Sequence, residues 1–396
     1  IVGNEKTKDK VIRRELRQLE SSWFSQEDVD RSKSRLTRTQ FFDKIDMETP
    51  AVAGTADQVD LNIKVEERNT GQINIGAGVS SGEGLVGTFG VSQANFLGTG
   101  NELSTAISTG SINKTYSLAF TDPYYTDDGI SRGFSVYRRD VNTKELGTGT
   151  YDTSSYGLGI SFGVPVSEKE TIRLGATIDM TDLDLSATSP IGYQNYCASV
   201  DKAGSLACSS DSLLFFTSYT SDSRDNAIFP TKGTKYSITG DVTAPVLDMQ
   251  YYKIKVSGEK IFSITSEIST RISGDLGYAA SYGGELLPFF KNFRTGGPKS
   301  LRGYKEGSVG TKTYDSYYGD YVTYGGEKLV GFSAEAFFPV PGIKNNDSLR
   351  MSTFFDAGGV FMNSISSSEM RYSAGVGALW LSPFGPLTIS FAIPLN

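Results

Sequence analysis

The side chains that could do chemistry are few, and an absence narrows them first. The 396-residue chain contains no histidine. Serine–histidine and cysteine–histidine nucleophile pairs, histidine zinc sites and haem ligation through histidine are therefore out of reach. Carboxylate chemistry and ion pairing stay open. Arg302, in Leu301-Arg302-Gly303-Tyr304, lies in a long stretch between strand patterns, and Glu335 and Asp356 lie in the two strand patterns that follow. A guanidinium is a planar fork that binds carboxylates bidentately. Folded back, Arg302, with Gly303 beside it, could pin its loop to Glu335 and Asp356; left in solvent, it would be an ordinary loop arginine. Glu335 and Asp356 could also form a carboxylate dyad, as in a protease or lipase. With no nucleophile–base pair available, the expectation is a protein that is not an enzyme and needs no cofactor.

The only two cysteines, Cys197 and Cys208, lie in a Ser/Gly/Asp-rich stretch. They point to one local disulfide in an oxidising compartment, the alternative being two free thiols. A formal charge of -7 disfavours a nucleic-acid partner, and 12% aromatic residues argue against disorder. No apolar run approaches the ~20 residues of a transmembrane helix. A membrane β-barrel is untouched by that test, because only every second residue of its strands faces lipid. The chain opens at Ile1, as expected of a processed form or a fragment.

The elements that must position these residues fall into two unlike parts. Residues 1–69 form a small α/β pattern. Ile1-Val2 ends a strand, and Thr7 or Asp9 can cap a helix carrying Val11, Ile12, Leu16 and Leu19. Ser25-Gln26-Glu27-Asp28 resembles a capping box that opens a second helix. Phe41-Phe42 begins a strand, and Val59 to Val65 alternates as a half-buried one. The basic cluster around Arg13, Arg14 and Arg17 suits a solvated helix face.

From Gln72 onward, helical periodicity vanishes, and roughly fifteen alternating segments are separated by Gly, Asn, Asp and Pro turns. Full charges in mid-strand (Arg173, Arg271, Glu335, Asp356) suit an aqueous lumen. Aromatics near strand ends (Tyr116, Phe120, Tyr124, Tyr125, Phe134, Tyr137) suit an interfacial girdle. Short turns at 164–168, 263–265 and 382–386 alternate with long connections at 183–211 and 280–328. With the N-terminal part in the periplasm, strand parity puts both long connections outside, and the cysteines with them. The stretch 280–328 has no evident structure of its own, which marks a functional or disordered loop. The last segment, 386–395, also ends outside. Barrels of this kind have an even strand count, so a closing strand is expected beyond it. The first strand, Gln72-Ile73-Asn74-Ile75-Gly76-Ala77-Gly78-Val79, has two interior glycines. Its edge could template an incoming strand, or it could simply be a curved barrel strand.

Several runs carry a resemblance: Glu66-Glu67-Arg68-Asn69-Thr70-Gly71, Asn95-Phe96-Leu97-Gly98-Thr99-Gly100, Asp122-Pro123-Tyr124-Tyr125, Phe229-Pro230-Thr231-Lys232-Gly233, Leu301-Arg302-Gly303-Tyr304, Phe355-Asp356-Ala357-Gly358 and Ser382-Pro383-Phe384-Gly385-Pro386-Leu387. Together they resemble the BamA family, the central subunits of the machinery that assembles outer-membrane β-barrels in Gram-negative bacteria. The resemblance implies a mainly β fold. Residues 1–69 would be the last periplasmic POTRA domain, and residues 70–396 a transmembrane antiparallel β-barrel, sixteen-stranded in the family. It implies that Arg302 is held in the lumen by Asp356 and Glu335, and that the strand from Gln72 is a gate strand at a weak lateral seam. Leu301 stands where Val or Ile is usual and Tyr304 where Phe is usual, both mild changes. The implied partners are nascent outer-membrane β-barrel proteins, accessory lipoproteins, periplasmic chaperones and the lipid bilayer. A two-partner secretion pore or a TamA-type assembly factor is the alternative, since such relatives share the loop arginine and the strand aspartate.

Overall fold

The computed structural model describes residues 1–55, 57–80, 84–143, 150–167, 169–200, 206–226, 230–265, 267–340, 348–382 and 385–396. Phe229, Pro383 and Phe384 of the motifs above lie outside the described residues. The N-terminal segment is built from helices α1 (Asp9–Arg13) and α2 (Gln26–Thr39) and strands β1 (Phe42–Glu48) and β2 (Asn62–Glu67). Its core joins Val11 and Ile12 of α1 to Leu36 of α2, Phe42 and Ile45 of β1, and Ile63 and Val65 of β2. The spacing of these residues follows the helical and strand periods, so each element turns its apolar side inward. Val2 pairs in parallel with Lys64, the strand end expected at Ile1-Val2.

Ser25 caps α2 by accepting the Asp28 N–H at 3.3 Å. The other arm of the expected box is supplied from outside it: Ser25 N–H donates to Gln18 Oε1 at 2.8 Å. The first helix is shorter than its apolar spacing predicts. It stops at Arg13, with Lys8 at its N-cap and no side-chain cap. Glu15 and Leu16 N–H bond three residues back, and the Arg17 N–H is taken by the buried Ser32 hydroxyl at 2.7 Å. With that donor diverted, the ladder cannot continue, and Leu19 is left exposed.

Contacts divide the chain into two units. The first holds Ile1–Gly76, Thr88–Ile107 and Tyr116–Val136; the second holds Ala77–Gly87, Ser108–Thr115 and Tyr137–Asn396. Within the first unit, buried Glu15 accepts from Arg35 Nη2 at 2.8 Å and from the Tyr124 hydroxyl at 3.3 Å. The Arg14 guanidinium lies 4.3 Å from the centre of the Tyr124 ring. Burial and the Glu15 charge push the Tyr124 phenol up. Tyr124 is thus tied into a charged cluster through both its hydroxyl and its ring.

The remaining strands are β3 (Gly71–Ser80), β4 (Gly84–Phe96), β5 (Asn101–Thr109), β6 (Asn113–Asp122), β7 (Ser131–Asn142), β8 (Tyr151–Ser167), β9 (Glu170–Leu185), β10 (Ala207–Asp222), β11 (Gly233–Thr243), β12 (Tyr251–Ser263), β13 (Ser269–Ser281), β14 (Thr311–Asp315), β15 (Asp320–Gly325), β16 (Lys328–Pro339), β17 (Leu349–Phe361), β18 (Arg371–Ser382) and β19 (Gly385–Pro394). All but β14 and β15 form one 15-stranded sheet running in sequence order from β3 to β19, with β13 next to β16. The strand period of two sorts the side chains by face. Ile272, Leu276, Phe332, Phe355, Ile389 and Phe391 are exposed, Phe391 at 74%. On the opposite face Glu335 is 5% exposed and Asp356 is fully buried. Aliphatic rows outside and carboxylates inside are the reverse of a soluble sheet and the signature of a membrane barrel.

Both long connections carry structure of their own. Between β9 and β10 lies helix α3 (Ile191–Val200), so 183–185 and 207–211 belong to strands and not to a loop. Cys197 on α3 is disulfide-bonded to Cys208 on β10, with Cα atoms 5.5 Å apart. Between β13 and β16, the stretch expected to be structureless holds a 3₁₀ turn (Phe289–Lys291) and the β14–β15 hairpin. Phe289 stacks on Tyr193 of α3 with ring centres 4.0 Å apart, in a core shared with Tyr151, Leu183, Tyr196 and both cysteines. That aromatic core is what orders two stretches whose polar composition reads as loop.

Glu67, at the end of β2, accepts the Lys6 N–H at 3.0 Å and the Thr7 N–H at 2.6 Å. Burial opposes its ionisation, but the Thr7 and Lys6 hydrogen bonds outweigh it and hold the carboxyl below its ordinary range. A carboxyl lowered on folding stabilises fully above its unfolded pKa, and the gain is lost as pH falls through the folded value. Protection factors of the Lys6 and Thr7 amides should therefore drop on acidification in the parent chain. In Glu67→Gln they should be low and flat across the same range, as read by hydrogen exchange.

Candidate functional site

The register of three strands builds the site. Arg271 of β13 stands directly opposite Glu335 of β16, and Ser333 of β16 directly opposite Asp356 of β17. The two-residue period then turns Ser333, Glu335, Ser352, Phe354 and Asp356 to one face. The loop reaches this face through Phe293-Arg294-Thr295-Gly296-Gly297-Pro298. Gly297, at φ +100°, donates its N–H to the Leu301 and Tyr304 carbonyls at 3.1 and 3.0 Å, and a Cβ there would strike Glu306. This tight fold presents Leu301-Arg302-Gly303-Tyr304 to the strands, with Leu301 buried.

Arg302 makes a two-pronged contact with Asp356: Nε to Oδ2 at 2.8 Å and Nη2 to Oδ1 at 2.7 Å. Its backbone N–H donates to the same Oδ2 at 3.1 Å. Nη1 reaches Glu335 Oε1 at 3.1 Å, and Nη2 reaches Ser333 Oγ at 3.1 Å. Around the pair, the Ser333 hydroxyl donates to Asp356 Oδ1 at 2.7 Å and the Ser352 hydroxyl to Glu335 Oε1 at 2.7 Å. Arg271 Nη2 bonds the other Glu335 oxygen. The Phe354 ring lies 3.3 Å beneath the Arg302 guanidinium carbon. Two guanidiniums thus face two carboxylates, and the remaining lone pairs are largely satisfied by hydroxyls. That is the condition under which buried charges are tolerated. Both carboxylates are bonded to arginine, an arrangement able to fasten the loop to the strands.

Arg302, Glu335 and Asp356 come together, with Gly303 next to Arg302, in the arrangement the resemblance implies. Gln72 to Val79 form most of β3, with Ile73 and Ile75 exposed. Cys197 and Cys208 lie apart, in the aromatic core around α3. Four contributors went unassigned in the sequence. Arg271 and Ser352 share the polar parity of their strands, and so does Ser333, but pairing them with their partners needs the register. Phe354 is an aromatic on an otherwise polar face, and that mismatch is the signal that marks it.

Removing one partner of such a set leaves a charge stranded in the interior, at a cost of roughly 3–5 kcal/mol. Arg302→Ala should leave the barrel folded but free the loop. Limited proteolysis should then cut within 280–328 at protease concentrations that spare the parent.

The model described as the Omp85 superfamily domain matches residues 95–396. The POTRA model, described as a surface antigen variable number repeat, matches residues 1–68. The chain is 34% identical over 427 aligned residues to the outer membrane protein assembly factor BamA of Neisseria meningitidis, covering 100% of this chain and 54% of the relative. It is 28% identical to BamA of Nitratidesulfovibrio vulgaris, covering 100% and 48%. The chain thus spans about half the length of the curated relatives it matches. Among solved structures, BamA from Haemophilus ducreyi lacking POTRA domains 1-3 superposes with a TM-score of 0.88 at 31% identity, covering 100% of this chain and 80% of that one. CdiB from Acinetobacter baumannii shares the fold at a TM-score of 0.61 and 14% identity, covering 100% and 69%. With its apolar rows turned to lipid, the barrel lies in the outer membrane and the POTRA domain in the periplasm, and the chain belongs to the Omp85 superfamily.

Proposed function

We propose that this chain is the barrel-bearing part of an assembly factor that folds and inserts β-barrel proteins into the outer membrane, without enzymatic chemistry and without a cofactor. The observation that carries the reading is likeness along the whole chain to BamA proteins from separate bacteria. The physical problem such a factor solves is the unpaired backbone. A strand entering lipid with free N–H and C=O groups costs several kcal/mol for each group. A strand that enters already paired to a sheet edge avoids that cost.

β3 is the member suited to offer that edge. It ends the strand order, and Gly76 and Gly78 interrupt its side-chain packing. A Cβ added at Gly78 would meet nothing within 4 Å. A seam at this strand would part sideways, β3 would pair with the substrate's strand, and a narrow apolar belt beside it would thin the bilayer. The driving energy is the substrate's own burial and pairing. Nascent β-barrel proteins are then the substrates, periplasmic chaperones deliver them, and accessory lipoproteins complete the machine.

Photo-crosslinking groups placed at Gln72 or Asn74 of the parent protein in cells should trap β-barrel proteins during their assembly. The same groups at Ile172 or Leu174 of β9 should not. Equal trapping on β9, or none on β3 while assembly proceeds normally, overturns the templating reading.

A further inference from the structure

Tyr304 follows the locked arginine by two residues, and its hydroxyl is not idle. It lies 2.6 Å from Asn396 O, 3.1 Å from Tyr372 O and 3.2 Å from Asn396 Oδ1. These acceptors belong to a small hydrogen-bonded knot at one end of β18 and β19. Tyr372 O also accepts the Leu395 N–H at 2.9 Å. Asn396 Oδ1 accepts the Tyr372 N–H at 2.9 Å, and Asn396 Nδ2 donates to Met370 O at 2.8 Å. The hydroxyl's single proton therefore always has an acceptor within the knot.

Gly303 lets the loop come this close. It sits at φ +89°, and an added Cβ would stand 3.3 Å from Ala392 Cβ on β19 and 3.5 Å from Ser373 Cβ on β18. Arg302, one residue earlier, is bonded to Ser333 and Glu335 on β16 and to Asp356 on β17. Residues 302 to 304 thus reach β16, β17, β18 and Asn396, two residues past the end of β19.

We infer that Tyr304 is a positioning residue whose hydroxyl ties the locked loop to the ends of β18 and β19, so that loop and strands β16–β19 form one braced block. The hydroxyl is the one Tyr304 atom that reaches the knot. Among the described strands, β16–β19 lie at the far end of the strand order from β3, so the brace stiffens strands remote from it. On the assembly reading above, from which only this last step borrows, β3 is then the strand that gives.

The test uses the full chain in lipid nanodiscs, with hydrogen exchange read at the Tyr372 and Leu395 amides. Tyr304→Phe removes the hydroxyl and nothing else. It should speed exchange at both amides about fivefold, the effect of one net hydrogen bond, while Phe332 and Ala357, paired across β16 and β17, keep their rates. Arg302→Ala should speed the same two amides, because it releases the other end of the brace. Unchanged exchange at Tyr372 and Leu395 in Tyr304→Phe overturns the inference. So does an Arg302→Ala chain whose loop is freely cut while those amides stay protected. Assembly of β-barrel substrates is scored separately: altered exchange with unaltered assembly upholds the brace and removes only its link to β3.

Discussion

A guanidinium and a carboxylate enclosed together away from bulk water set the terms for the rest of this protein. Each charge alone would carry a desolvation cost of several kcal/mol, and the cost is offset only if geometry and hydrogen bonding are nearly complete. Arg302 meets that demand with a fork on Asp356, a third prong on Glu335 and a fourth contact on Ser333. The requirement propagates outward. It needs hydroxyls at 333 and 352 to fill the remaining lone pairs, and Arg271 opposite Glu335 to balance the second carboxylate. It also needs a loop able to turn tightly enough to deliver Arg302 to the wall. The glycine-rich approach and the β16–β17 register are consequences of seating one arginine.

Around that centre the molecule divides its solvents. Side chains alternate between lipid and lumen along each strand, and the periplasmic domain keeps a conventional apolar core of helices on strands. A third environment lies around α3 and Phe289, where the disulfide and an aromatic cluster make a dry interior out of loop sequence. Each of the three is stabilised differently: by lipid against apolar rows, by helix-on-strand burial, and by stacked rings beside a covalent staple.

Much of this was legible in the chain. Strict alternation near Leu387–Leu395 and Leu329–Phe338 gave the strands, because a period of two leaves few alternatives. Parity and charge left Arg302 either paired with Glu335 and Asp356 or free in solvent, and only the resemblance implied the pairing. Where local patterns misled, a distant partner was responsible. Leu16 and Leu19 continue the helical spacing, but the Ser32 hydroxyl takes the Arg17 donor from a neighbouring helix and ends α1 early. Local pattern also says nothing of Tyr124's partner: Glu15, more than a hundred positions away, accepts from its hydroxyl. The stretch 280–328 looks structureless in isolation because it supplies only part of a core shared with α3. The place of Ser333 beside Asp356 became visible only once the strands were set side by side.

The opposition of Ser333 to Asp356 also makes the ion pair a gauge. Were β17 to slip by a single residue against β16, every side chain on it would change face. Asp356 would swing into lipid, Phe355 into water, and Arg302 would find no fork to grasp. The mispaired sheet would thus lose its charge neutralisation and expose an ion to hydrocarbon in the same step. One buried salt bridge therefore proofreads the zippering of two strands.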